Sequence, residues 1–171
     1  MPLTRLLPLL YLFSLSSIAV GQDRPRIPAV PHTCPVTKPA DGSFVPPQPY
    51  PAKPSVGEFW LGTDRLWTAL PGTGTWRLGH STSGDPTFRQ KLPFWRQGYD
   101  AHAEPRPNLT VSGRRIDSPA GPLLSDGKGH GSWTKDDQFI MTGINFPTTG
   151  CWEITGRYEN DELTFVVWVG P

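Results

Sequence analysis

The sequence predicts an all-β fold, an antiparallel sandwich or barrel, on three observations. Past Gly57 the chain breaks into short runs that interleave apolar and polar residues, separated by turn-forming clusters at about 8–12-residue spacing. No window there keeps apolar residues at three-to-four spacing over several turns, so no helix is expected. The stretch from Phe146 to Val169 reads as a hairpin, with β-patterned runs Cys151 to Tyr158 and Leu163 to Val169 around the polar turn Glu159-Asn160-Asp161-Glu162.

Three segments follow along the chain: a signal peptide over 1–21, a proline-rich arm over 22–56 and a β-domain over 57–171. The first has Arg5, an apolar stretch from Leu6 to Val20, and small residues at Ala19 and Gly21. Pro8, Ser14, Ser16 and Ser17 interrupt that stretch, which is short of the ~20 apolar residues a spanning helix needs. A cleaved export signal is expected, with no membrane span left after cleavage and a secreted, periplasmic or extracellular location. Losing Arg5 takes the basic residues from 16 to 15, against 15 acidic ones. That balance excludes the basic stripe a nucleic-acid partner requires.

From Gln22 to Val56 the chain holds ten of its 21 prolines. Proline fixes φ and cannot donate to a ladder, so an extended arm is expected. The chain's two cysteines are Cys34 in this arm and Cys151 in the hairpin, and an exported chain pairs them by default. Such a bond ties the arm to the C-terminal hairpin.

The β-domain opens with Glu58-Phe59-Trp60-Leu61, a turn at Gly62-Thr63-Asp64, and a run from Arg65 to Leu70. Pro71-Gly72-Thr73-Gly74 is a turn cluster, and Thr75 to Leu78 resumes the extended pattern. Gly79 to Pro86 reads as loop, Thr87 to Trp95 as strand. Leu109 to Asp117 reads as a strand with a bulge or turn at Gly113. Ser118 to Lys135 is the most loop-like part of the domain, and Gln138 to Phe146 is the last strand before the hairpin.

Candidate chemistry is sparse. Gly79-His80-Ser81-Thr82-Ser83 falls one glycine short of a nucleophile elbow and lacks the strand-to-helix context that motif needs. Ser125-Asp126-Gly127-Lys128 has S-x-x-K spacing, but Gly127 and Gly129 break any helix. No triad, carboxylate pair or cofactor motif emerges, so a non-enzymatic role without a cofactor is expected. His102 and Glu104, two apart, fall on one face if their segment is extended, and His32, His80 or His130 can complete a metal site by folding. The seven tryptophans are expected mostly to fill the gap between two sheets, with Trp133, beside a glycine-rich tip, as the exposed ligand platform. Asn108-Leu109-Thr110 is a glycosylation sequon, relevant in a eukaryotic secretory pathway.

Several pieces together resemble a group of bacterial secreted or envelope proteins of unknown function. They are Cys34-Pro35-Val36-Thr37, Leu66-Trp67-Thr68-Ala69-Leu70-Pro71, Gly113-Arg114-Arg115-Ile116-Asp117 and, most specific, Phe146-Pro147-Thr148-Thr149-Gly150-Cys151-Trp152-Glu153-Ile154-Thr155-Gly156 with Leu163-Thr164-Phe165-Val166-Val167. The resemblance implies export and an immunoglobulin-like β-sandwich, and carries no catalytic residue across. An accessory or binding role follows as the expectation, with a protein or glycan of the envelope as partner.

Overall fold

The computed structural model describes residues 30–41, 44–77 and 88–170. The expected signal peptide, His80 and the Gly79–Ser83 motif lie outside the described residues. Within them the protein is all-β, with no helix and with antiparallel pairing at all but one strand contact.

Ten strands follow one another: β1 (Glu58–Thr63), β2 (Leu66–Pro71), β3 (Thr75–Arg77), β4 (Phe88–Phe94), β5 (Thr110–Arg115), β6 (Leu124–Ser125), β7 (His130–Trp133), β8 (Gln138–Phe146), β9 (Gly150–Tyr158) and β10 (Asp161–Gly170). β1 and β2 form a hairpin; β3-β10-β9-β5 form one sheet, and β4-β8-β6 with β7 beside β8 form another. β3 runs parallel to β10. A bridge between Trp67 and Trp95, with reciprocal backbone hydrogen bonds of 2.9 Å, links β2 to the end of β4. The chain therefore leaves β2 on the β4 side and crosses at the Pro71–Gly74 turn to join the other sheet as β3.

Strand alternation explains which side chains are inside. Phe165, Val167 and Val169 of β10 are buried, with Leu163 packed against them. Trp152, Ile154 and Tyr158 of β9 face the same core as Phe88, Leu92 and Phe94 of β4 and Ile140, Ile144 and Phe146 of β8. Phe146 sits 5.3 Å from Trp152 and 6.0 Å from Trp76, ring centre to ring centre, so aromatic contacts join the two sheets. Gly156 lies opposite Phe94 so closely that a Cβ there would meet the ring at 2.6 Å.

The tryptophans divide differently from the sequence expectation. Only Trp76 and Trp152 belong to that core. Trp60, Trp67 and Trp95 build a second cluster, completed by Phe44 and Tyr50 of the N-terminal segment. Aperiodic aromatic residues among prolines carry no strand or helix signature, which is why the sequence pattern missed these two anchors.

Gly113 also departs from expectation. Its pairing with Ile154 is continuous with the rest of the β5–β9 register, with neither bulge nor turn. Its missing side chain lets Leu123 approach, since a Cβ would stand 2.9 Å from the Glu153 carbonyl oxygen and 3.1 Å from Leu123 Cδ1. The expected loop over 118–135 contains two short strands, β6 and β7, both held by the register of β8.

Cys34 and Cys151 form a disulfide with Cα atoms 5.6 Å apart. Next to it, Thr37 donates its N–H to the Val166 carbonyl at 2.8 Å, and its hydroxyl accepts the Val166 N–H at 2.9 Å. The N-terminal segment is thus held twice, by covalent and backbone bonds near Cys151 and by aromatic packing on Trp67.

Candidate functional site

The β4–β5 connection is a long polar loop, and its own hydrogen bonds fix its shape. Asp100 Oδ1 accepts the N–H groups of His102 at 2.9 Å and Ala103 at 3.2 Å, closing a turn. Those two donors hold the Asp100 carboxyl below the usual range. The Ala101 N–H donates to Gln138 Oε1 at 2.7 Å, fastening the loop to β8.

On the other side, the Tyr99 hydroxyl donates to the Glu104 carbonyl at 2.8 Å, and the Tyr158 hydroxyl donates to the Glu104 carboxylate. Burial, then the negative charges of Glu104 and Asp100, push the Tyr99 phenol up to about 12. Tyr158 is likewise raised to about 12, by burial first and by its bond to Glu104 second. Arg96 lies 5.1 Å above the Tyr158 ring and pairs with Glu159 at 2.9 Å, which links the loop to the β9–β10 turn.

The two residues of the expected metal pair have different neighbours in this loop. The segment between Ala101 and Ala103 is a turn rather than extended, so the spacing no longer puts His102 and Glu104 on a common face. Glu104 is bonded to Tyr158, whereas the His102 ring stands 4.5 Å from Trp133. Among the described residues no group of three or more His, Cys, Asp or Glu side chains is placed to hold a metal ion. His130 opens β7 opposite Met141, and His32 lies beside the disulfide. Ser125 donates its hydroxyl to the Gly127 carbonyl at 2.9 Å, so its proton points into its own turn.

What the folding does assemble is a cleft of about 490 Å³ between the loop, the β7–β8 turn and the N-terminal segment. Trp133 and His102 form one side; Trp133 is 55% exposed, against 8% or less for Trp60, Trp67, Trp76, Trp95 and Trp152. Tyr50 contributes from the N-terminal segment, its ring 5.0 Å from Trp67 and its hydroxyl donating to the Arg96 carbonyl at 3.5 Å. Gln48, Gln97 and Thr134 add neutral polar groups.

Asp137 lines the cleft from the turn, where its carbonyl accepts the Thr134 N–H at 2.8 Å. Its carboxylate accepts the Trp95 indole N–H at 2.9 and 3.1 Å. Burial raises its pKa, and the bonds from Trp95 and the Gln138 N–H offset that only in part. The Tyr50 phenol is raised too, by burial and by the nearby Asp137 charge.

Sequence reasoning singled out Trp133 and His102 but as separate hypotheses, and it missed Tyr50 and Asp137. The sequence gives only a partial signal for Asp137, a polar Thr134-Lys135-Asp136-Asp137 run between Trp133 and the strand that opens at Gln138. Compared with protein-family models, curated proteins and solved structures, the chain matches none. The case for function therefore rests on this cleft.

Proposed function

We propose that this chain is an exported, non-enzymatic module that binds a glycan of the cell envelope or extracellular space through the cleft beside Trp133. One observation carries the reading: a largely exposed indole, in tilted contact with an imidazole, flanks a polar cleft with a tyrosine and amide groups along it. Flat aromatic faces offer apolar area to the C–H side of a sugar ring, and amides and carboxylates suit its hydroxyls.

The architecture we favour is an immunoglobulin-like β-sandwich with a proline-rich extended arm clamped at Cys34. Its support is the strand order. β4 and β8 with β6 and β7 correspond to strands B, E and D, and β10-β9-β5 to G, F and C. β2 pairs toward β4 and β3 toward β10, the places of a first strand divided between both sheets. The cleft then lies at the end of the sandwich where the B–C and D–E loops meet, the end variable domains use for recognition. Export is supported by the Arg5–Gly21 pattern and by the disulfide, a bond that persists in oxidising compartments. Among the described residues no helix is long and apolar enough to cross a membrane.

The test is a glycan array probed with the disulfide-intact protein, followed by titration of the best binder monitored by tryptophan emission. Saturable binding is expected, with Trp133→Ala weakening it by about 10-fold or more. No glycan bound, or equal affinity in Trp133→Ala, overturns the reading.

A further inference from the structure

We infer that the saccharide taken by this cleft carries a protonated amine, so that the site selects a hexosamine chain whose nitrogen is free rather than acylated. The inference rests on the glycan reading and names the member of that class. Its basis is the state of Asp137. Asp137 is half-buried and lines both this cleft and the neighbouring one at Trp60 and Trp95, and the donors its carboxylate has are the Trp95 indole N–H and the Gln138 backbone N–H, both neutral.

Among the described residues the ion pairs join Arg65, Arg89, Arg96, Arg114, Arg115 and Arg157 to other acids. The basic side chains that line the cleft are Lys135 and His102, and neither forms an ion pair with Asp137. Asp136 adds a second, exposed carboxylate at the same turn. A partly buried carboxylate without a cation is costly, and a ligand ammonium supplies the missing partner through a charge-assisted hydrogen bond. The aromatic rings of Trp133 and Tyr50 favour the same charge, because a cation is attracted to the face of an aromatic ring. A sugar ring on Trp133 with its nitrogen toward Asp137 uses both features at once. A uronic acid in that place would meet like charge.

The experiment compares glucosamine tetramer, N-acetylglucosamine tetramer and cellotetraose by calorimetry at about pH 6, where the sugar amines are protonated, using the mature protein with its disulfide intact. The three share one ring skeleton and differ at a single ring carbon, which bears an ammonium, an amide or a hydroxyl. The glucosamine tetramer is expected to bind about 10-fold more tightly than either neutral one. That advantage over the neutral tetramers should vanish in Asp137→Asn, which keeps an acceptor for the Trp95 indole.

Equal affinity for all three, still sensitive to Trp133→Ala, overturns the amine inference and leaves the glycan reading standing. Binding of none of the three, with other glycans bound on the array, does the same. Tetralysine binding as tightly as the glucosamine tetramer shows that a cation without a sugar suffices and overturns the inference. The N-acetylated tetramer is a control on the ligand side, so the outcome does not depend on whether a variant folds.

Discussion

Asp137 is held where its charge is expensive, and the sign of that cost can be worked out. Burial raises its pKa above the ordinary aspartate value. Between those two values the unfolded chain has already released its proton while the native protein keeps it. Stability therefore falls as pH rises through that window, and the ionised carboxylate is a net cost at neutral pH. Asp137→Asn removes the charge and retains an oxygen for the Trp95 N–H. Its urea midpoint is expected to match or exceed that of the wild type at neutral pH, with the two converging in acid. A lower midpoint at neutral pH would contradict this account. A residue that costs stability in a cleft is also where recognition is expected, and this links the stability measurement to the binding one.

The strands depend on close contact between the sheets. Gly156 of β9 faces the fully buried ring of Phe94, with no room for a methyl group between them. Gly156→Ala is expected to lower stability by about 1–3 kcal/mol, read from chemical denaturation, because neither the β-strand nor the ring can withdraw freely. Much of this layer was legible in the sequence. The expected bounds of β8, Gln138 to Phe146, are those found, and the inward row Leu163, Phe165, Val167 and Val169 follows from period-two alternation. β6 and β7 escaped notice for a physical reason: Leu124-Ser125 and His130-Gly131-Ser132-Trp133 have no alternation of their own and become strands only by pairing with β8. The cleft was legible only in parts. Trp133 and His102 stand out by residue type, but their ring contact depends on a loop fastened through Gln138, and no local pattern encodes that.

At the scale of the whole molecule, the N-terminal segment is both a structural element and a wall of the cleft. Cys34 ties it to β9, and Phe44 and Tyr50 dock on Trp67. The double variant Cys34→Ser with Cys151→Ser is expected to lose about 2–5 kcal/mol, measured by urea denaturation against the oxidised wild type. An unchanged midpoint would mean that the aromatic docking and the Thr37–Val166 bonds suffice on their own. The linked cysteines stand 117 positions apart, so the covalent loop takes in most of the 171-residue chain. In covalent terms the chain from Cys34 to Cys151 is a closed ring. A protease that cuts once in a surface loop between Cys34 and Cys151 opens the ring without freeing a fragment, so the nicked protein stays one molecule until a second cut or a reductant divides it.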